Sequence, residues 1–247
     1  MKSSLLKKVC AHAVGAAALL VSTLMVTQTP ASAGPVAGAA TATVDVLHAS
    51  PDAPPVDVYA NGKRVIRSLR YGLDKEVRVV AGNAQLQVFV AGANPKTATP
   101  VISATVSLEP DKYYIVAAVN TVDKIEALVI PEPPLPQAGN ALLRVINIDP
   151  AGPALDLVDA GDNNKVIIDN VAFKDIKTSE IKAGTYILNF VEHGTTNVIG
   201  TPNDPLAFED GGVYEAYFFP AAISKTTKSV NAAKPKIVIK RIPVRKH

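Results

Sequence analysis

Four side chains that could perform acid–base or nucleophilic chemistry lie close together in the sequence: His48, Ser50, Asp52 and Asp57. Histidine, serine and a carboxylate are the components of a hydrolytic triad, in which the base must lie in space between the other two. Proximity in sequence does not provide that arrangement. Serine and aspartate beside proline are also typical of turns, because their side chains bond to nearby backbone amides. We therefore take the four residues as a speculative ligand-binding set and assign no catalytic residue.

The segment carrying these residues reads His-Ala-Ser-Pro-Asp-Ala-Pro-Pro-Val-Asp-Val-Tyr at 48–59 and recurs in altered form at 147–158. The second copy keeps a proline, Pro153, and an aspartate, Asp156, but not the histidine or the serine. An aspartate between apolar β-forming residues is expected to accept N–H bonds from the proline-rich loop and to fix its shape. We predict this pinning role for both Asp57 and Asp156, with a metal- or ligand-binding carboxylate as the alternative.

Short alternating runs of β-forming residues, separated by turn signals, follow the loop in both copies. Asn61-Gly62 is a strong hairpin signal, and 19 prolines and 15 glycines punctuate the chain. Turn signals at roughly 8–12-residue intervals are typical of sandwiches and barrels. The sequence thus predicts an all-β protein with two tandem immunoglobulin-like or transthyretin-like antiparallel β-sandwich domains. The predicted repeats span 42–130 and 141–222, joined by a proline-rich linker at 131–140.

The N-terminal residues 1–33 have the pattern of a secretory signal peptide, predicted to be helical. Three lysines precede an apolar run, and Ala31-Ser32-Ala33 provides a small-residue cleavage motif, so we expect cleavage after Ala33. An uncleaved membrane anchor is the alternative. Residues 34–41 are expected to be a flexible leader. The only cysteine, Cys10, would be removed with the signal, which excludes disulfides, a thiolate nucleophile and a cysteine-ligated metal from the mature chain.

The C-terminal segment 223–247, the basic tail, contains eight Lys and Arg residues and no acid, whereas the rest of the mature chain is acidic. Such a segment could bind anionic polymers of a cell envelope through screened electrostatic attraction. It could also fold back on the acidic body or remain solvated, and part of it, 235–240, could form a last strand. The speculative polymer-contacting residues are Lys234, Lys236, Lys240, Arg241, Arg245 and Lys246.

The run at 46–59, the Asn61-Gly62 hairpin and the later Ala81-Gly82 resemble the bacterial family called domain of unknown function 4397. The resemblance extends over about 42–220, closely in the first repeat and loosely in the second. It implies secreted or wall-associated proteins with an immunoglobulin-like or transthyretin-like sandwich, and it implies no established activity. The second repeat has Asn147, Asp149 and Ala151 where the motif has His, Ser and Asp. Any role of those three side chains is therefore expected in the first repeat only.

Two further groups could hold a ligand. Asp159, Asp162, Asn163 and Asn164 resemble a loose calcium loop, but the distal glutamate of such loops is missing, so we expect an elongated polar hairpin. His193 is expected to be a loop residue. We predict no metal and no cofactor. Sequence-specific nucleic-acid binding is not expected, because the basic residues alternate with Ile, Val and Pro rather than with aromatics.

These observations favour a secreted, extracellular or cell-wall-associated protein that is not an enzyme. Its expected role is a binding or structural module of unknown ligand, with an anionic envelope polymer or a surface protein as partner and no membrane contact after signal cleavage. One alternative is a hydrolase of envelope carbohydrate or peptide that uses Asp52 and Asp57. Another is a surface-fibre subunit that pairs through edge strands. The oligomeric state is left open.

Overall fold

The computed structural model describes residues 38–202, 205–221 and 236–242, and their regular elements are all β-strands. The predicted signal helix and Ala33 lie outside these residues. The first repeat contains β1 (Thr41–His48), β2 (Val56–Ala60), β3 (Lys63–Leu69), β4 (Asp74–Val80), β5 (Gly82–Val90), β6 (Ile102–Leu108), β7 (Tyr113–Val119) and β8 (Glu126–Pro131). In the part of the chain that the structure describes, no helix has the length and apolarity needed to cross a membrane.

The second repeat follows the same order with two extra short strands. It contains β9 (Asn140–Asn147), β10 (Leu155–Asp159), β11 (Lys165–Val171), β12 (Ile176–Lys182), β13 (Gly184–Tyr186), β14 (Leu188–Glu192), β15 (Val198–Gly200), β16 (Leu206–Phe208), β17 (Val213–Phe219) and β18 (Lys236–Ile242). The prediction of an all-β chain is confirmed, and the strand order of the first repeat recurs in the second.

Each repeat is a sandwich of two four-stranded sheets, with a small β13–β16 sheet added in the second repeat. In the first repeat, β4-β1-β7-β8 form inner sheet 1 and β3-β2-β5-β6 form outer sheet 1. In the second, β12-β9-β17-β18 form inner sheet 2 and β11-β10-β14-β15 form outer sheet 2. A buried apolar core separates the two sheets within each sandwich. Asn61-Gly62 forms the turn between β2 and β3, and both residues have positive φ, as the hairpin signal requires.

The expected purely antiparallel arrangement is wrong at the centre of both inner sheets. Strand β1 pairs in parallel with β7, and β9 pairs in parallel with β17. Between β1 and β7 the chain crosses to the outer sheet twice, once for β2 and β3 and once for β5 and β6, with β4 in the inner sheet between the two crossings. After the second crossing, β7 enters the inner sheet beside β1 and runs in the same direction. The remaining ladders are antiparallel.

A third buried layer lies between the two inner sheets, so the two sandwiches share one core. Strand β1 is buried on both faces: Val44 and Val46 point into the first sandwich, and Leu47 points into the shared layer. Strands β7, β9 and β17 are buried along their lengths in the same way. The fully or nearly buried residues of the shared layer are Leu47, Ala49, Tyr113, Ile115, Ala117, Val119, Ile130, Leu142, Ile146, Ile148, Val213, Tyr217, Phe219 and Ile242.

The connection between the repeats is short and attached to the second repeat. Pro131 is the last residue of β8 and Asn140 the first of β9. In between, Gln137 N donates to Glu180 (3.3 Å) and Gly139 N donates to Asp210 (2.7 Å). A second link comes from the first repeat's Tyr71, whose hydroxyl donates to the Pro220 carbonyl at 2.5 Å. The sandwiches are therefore joined by a direct hydrogen bond as well as by the connecting segment.

We predict that both repeats unfold in one transition. Ile130→Ala removes a fully buried side chain from the shared layer and should lower the free energy of unfolding by about 2–5 kcal/mol. Differential scanning calorimetry should show a single transition that moves as a whole to lower temperature. Val129→Ala, one residue earlier and 37 % exposed, serves as the control and should have little effect. Two resolved transitions, one of them unmoved by Ile130→Ala, would contradict the shared core.

Candidate functional site

The polar side chains of the 48–59 motif point mainly into the protein. His48 and Ser50 are fully buried. The His48 Nε2 lies 3.1 Å from the Pro54 carbonyl oxygen, and its ring packs edge-on against Tyr71. Burial lowers the pKa of His48, because the charged imidazolium would lose hydration. Only Asp52 is partly exposed, and its carboxylate accepts a 2.8 Å bond from the Val122 amide in the β7–β8 turn.

The second repeat builds the same loop with different side chains. Asn147 replaces His48, and its Nδ2 donates to the Pro153 carbonyl at 3.3 Å, as the imidazole does to the carbonyl of Pro54. Asp149 accepts a 3.0 Å bond from the Ala151 amide. Histidine and asparagine thus perform one task, donation to a loop carbonyl. The geometry therefore supports a structural role for His48 in bracing the loop.

Asp57 is a pin, but the groups it holds lie outside the proline-rich loop. Its carboxylate accepts bonds from the amides of Ser68 (2.8 Å) and Gly92 (3.3 Å) and lies 3.4 Å from the Arg64 guanidinium. Burial by itself would raise the pKa of Asp57, but the two amides and Arg64 lower it below its ordinary value. Ser68 has a φ of +52° and lies where β3 bulges against β2. The expected loop amides are thus replaced by those of a bulge and a neighbouring hairpin.

Asp156 repeats this arrangement in the second sandwich. It accepts bonds from the amides of Asn170 (2.6 Å) and Gly194 (3.4 Å), and Asn170 has a φ of +48°. The place of the arginine is taken by His193, whose Nδ1 lies 2.8 Å from the carboxylate. Burial would raise the pKa of Asp156, and these donors lower it. His193 was expected to be a loop residue, and its contact with Asp156 has no signal in the sequence.

We predict that Asp57→Asn and Asp156→Asn each lower the free energy of unfolding at pH 7 by about 1–3 kcal/mol. The reason is that each replaces one acceptor oxygen of a buried carboxylate with an NH2 group, which cannot accept the bond of a backbone amide. Because the folded-state pKa of each aspartate is lowered, its stabilisation is present above the unfolded-state value of about 4. It is lost as the pH falls through the lowered pKa. Urea unfolding at pH 7 and below pH 4 should show the difference from wild type and then its loss. Asp169→Asn, at an exposed position of β11, is the control and should leave the free energy of unfolding unchanged at both pH values. An effect equal to that of Asp57→Asn or Asp156→Asn would contradict the pinning role.

A buried ion pair between the inner sheets was not predicted. Arg144 in β9 and Glu215 in β17 are 3 % and 1 % exposed, face each other across the parallel ladder and form a salt bridge. The Tyr217 hydroxyl donates to Glu215 at 2.5 Å, and Arg144 donates to the Pro131 carbonyl at 2.7 Å. Burial lowers the pKa of Arg144 to about 10. The sequence signal for this ion pair is one charged residue in each of the otherwise apolar strands β9 and β17.

Asp45 of β1 also faces the shared layer between the inner sheets, and it is 9 % exposed. It accepts a 3.2 Å bond from the Tyr113 hydroxyl. Burial raises the pKa of Asp45 to about 6, with the negative charge of Asp74 adding to the effect and Lys240 opposing it. Ionisation of Asp45 is therefore less favourable in the folded chain than in the unfolded one.

The sign of this shift predicts that Asp45 makes the protein less stable as the pH rises. A carboxyl whose folded-state pKa is raised contributes stability below its unfolded pKa of about 4, and that stability is lost as the pH rises through about 6. Asp45→Asn should therefore be more stable than wild type at pH 7.5, and this advantage should decrease towards pH 4. Urea unfolding of both proteins across that range measures it, with exposed Asp111→Asn as control. A variant less stable than wild type at pH 7.5 would contradict the assignment.

The loose calcium loop forms a turn beside a cleft. Asn163 and Asn164 both have positive φ, and Asp159 accepts a 2.9 Å bond from the Gly161 amide. Asp159 and Asp162 border a cleft of about 350 Å³ at the open edge of the second sandwich, which Tyr186 also lines. Among the described residues, no group of three or more His, Cys, Asp or Glu side chains could hold a metal ion.

The described part of the basic tail is β18, which pairs with β17 and lies at the edge of inner sheet 2. Lys240 forms a 2.8 Å salt bridge with Asp74 of the first repeat, and Arg241 forms a 2.6 Å one with Glu209. Lys240 and Arg241, both predicted as polymer contacts, thus bind acidic residues of the body, which is the arrangement of the alternative in which the tail folds back. Lys234, Arg245 and Lys246, and the side chain of Lys236, lie outside the described residues.

Comparison with known proteins agrees with the resemblance in the sequence. Residues 42–158 match the family model described as a domain of unknown function, DUF4397. The match covers the first repeat and the second one through β10, a shorter region than the expected 42–220. No curated protein sequence matches the chain.

Two solved structures show a weak likeness. The Bacillus anthracis TIE protein is 10 % identical, with a TM-score of 0.23, over 72 % of this chain and 34 % of that one. This chain thus spans about a third of that protein. The second is the crystal structure of CBMbc (family CBM26) from Eubacterium rectale Amy13K in complex with maltoheptaose. It is 8 % identical, with a TM-score of 0.24, over 83 % of this chain and 98 % of that one. At these scores neither likeness carries an argument about function.

Proposed function

We propose that the protein is a non-enzymatic binding or structural module that works outside the cell or on the cell wall. The observation that carries this proposal is the shared layer between the inner sheets. It makes two sandwiches into one body in which β1, β7, β9 and β17 are covered on both faces. Such a body suits a spacer or a platform that holds a ligand at a fixed distance, because the repeats cannot move independently without exposing the layer.

The burial of the motif supports the same proposal. A nucleophile and a base must reach the substrate, but His48 and Ser50 are fully buried. The carboxylate of Asp57 is held by three donors within the fold. The hydrolase alternative would therefore have to depend on Asp52 and a partner other than Asp57.

Three finer points belong to the proposal. The signal segment directs export and is cleaved after Ala33. The sandwiches are of the immunoglobulin-like or transthyretin-like type. The partner is an anionic envelope polymer or a surface protein, and no cofactor takes part.

We predict that the chain from residue 34 onward co-sediments with purified cell-envelope fragments and releases no soluble sugar or peptide from them. Secreted material should begin at Gly34 in N-terminal sequencing. Release of fragments by wild type but not by Asp52→Asn would establish the hydrolase instead. Concentration-dependent assembly in size-exclusion chromatography would favour the fibre subunit. Deleting the tail is a poor test, because it removes β18 from inner sheet 2.

A further inference from the structure

One edge of the first sandwich is strongly basic, and the matching edge of the second sandwich is not. Residues 63–78 contain two acids, Asp74 and Glu76. The same segment contains six basic residues, here named the basic edge: Lys63, Arg64, Arg67, Arg70, Lys75 and Arg78. The equivalent residues 165–180 contain three basic and three acidic side chains. Four of the seven arginines of the chain lie in the basic edge. The excess of positive charge is thus specific to one repeat.

The six side chains lie on two neighbouring strands and the turn between them. Strand β3 is the edge of outer sheet 1 and β4 is the edge of inner sheet 1. The two strands contact each other at the open side of the sandwich. All six basic residues are exposed. Seven-residue strands are about 20 Å long at 3.3 Å per residue, so the basic edge is a strip long enough for several repeat units of a polymer.

Most of this positive charge is not neutralised by the fold. Arg64 lies 3.4 Å from Asp57, and Arg78 donates to Thr41. Within the described residues, Lys63, Arg67, Arg70 and Lys75 form no salt bridge with an acidic side chain. Of the two acids adjacent to Lys75 in the sequence, Asp74 is bound to Lys240. The basic edge is therefore a positively charged strip on a body whose other residues carry a net negative charge.

Protection against aggregation alone does not account for the basic edge. Charged side chains, lysine above all, are common on edge strands because they discourage pairing between molecules. The second sandwich has the same two edge strands, β11 and β12, with balanced charge. The first uses mainly arginine, whose planar fork of donors forms paired bonds with the oxygens of phosphates and carboxylates. Among the described strands, β3 and β4 each pair with a neighbour on one side only, so their other side is an edge.

We propose that the basic edge binds a linear phosphodiester polymer, such as a polyol-phosphate chain of a cell envelope. This rests on the proposed function and specifies its ligand. A phosphodiester keeps its charge at every physiological pH and offers two oxygens per unit to a guanidinium. Single-stranded nucleic acid, which also carries phosphodiesters, is bound through exposed aromatic rings that stack on its bases. Here Tyr59, paired with Arg64 in outer sheet 1, and its neighbour Phe89 are buried.

The test measures binding of the chain from residue 34 onward to poly(glycerol phosphate) at several salt concentrations. Arg67→Gln, Arg70→Gln and Lys75→Gln are combined in one variant. The matched control combines Lys96→Gln, Lys124→Gln and Lys182→Gln, which remove the same charge from other exposed positions. The edge variant should raise Kd at least tenfold and the control less than threefold. The slope of log K against log salt should decrease by about 2 in the edge variant, since each phosphate contact contributes about 0.7–0.9.

Several outcomes would overturn the proposal. One is equal weakening by both variants, which would mean that only net charge matters. Another is the absence of wild-type binding. Tighter binding of polygalacturonate or oligo(dT) than of poly(glycerol phosphate), at equal charge concentration, would reject the choice of polymer. Unchanged melting temperatures show that both variants fold. The binding test uses a pure polymer and does not depend on the envelope experiment. If co-sedimentation with envelope fragments failed but poly(glycerol phosphate) still bound, the proposed function would be rejected and the binding role of the basic edge would not.

Discussion

The layer of side chains between the two inner sheets is the constraint on which the rest of the structure depends. It covers the second face of β1, β7, β9 and β17, and it contains the Arg144–Glu215 ion pair. A charge buried without its partner is strongly destabilising. A shifted register between β9 and β17 would separate these two charges. The apolar layer therefore joins the strands of both repeats, and the ion pair selects one register for β9 and β17.

Local structure was largely predictable from the sequence, whereas the packing of the repeats was not. Period-two alternation and Asn61-Gly62 predicted the strands of the first repeat and the hairpin between β2 and β3, because these depend on neighbours in the chain. The parallel pairing of β1 with β7 joins residues about 70 positions apart, and no local pattern encodes it. The apolar runs of β7 and β17 were nevertheless a usable signal, since strands buried on both faces lose their alternation.

The internal repeat identified the pinning aspartates but not their partners. Asp57 and Asp156 are retained in both copies, which predicted a shared structural role. Their donors come from a bulge and from a hairpin that are distant in sequence, and only the folded chain brings them together. His48 illustrates the opposite error that sequence reasoning invites. A buried imidazole that donates to a carbonyl can be replaced by an asparagine, as in the second repeat. The residue type alone therefore suggested a catalytic reactivity that the buried position does not support.

The position of β18 has a consequence for how the chain folds during its synthesis. The ribosome delivers the N-terminal repeat first, so inner sheet 1 exists before anything can cover the apolar side chains on its outward face. Inner sheet 2 cannot be complete until Lys236–Ile242, near the end of the chain, has emerged. For most of translation the nascent protein therefore exposes the apolar face of inner sheet 1. Chaperones that bind apolar surface would act on that face, and a chain terminated before β18 would be prone to aggregate.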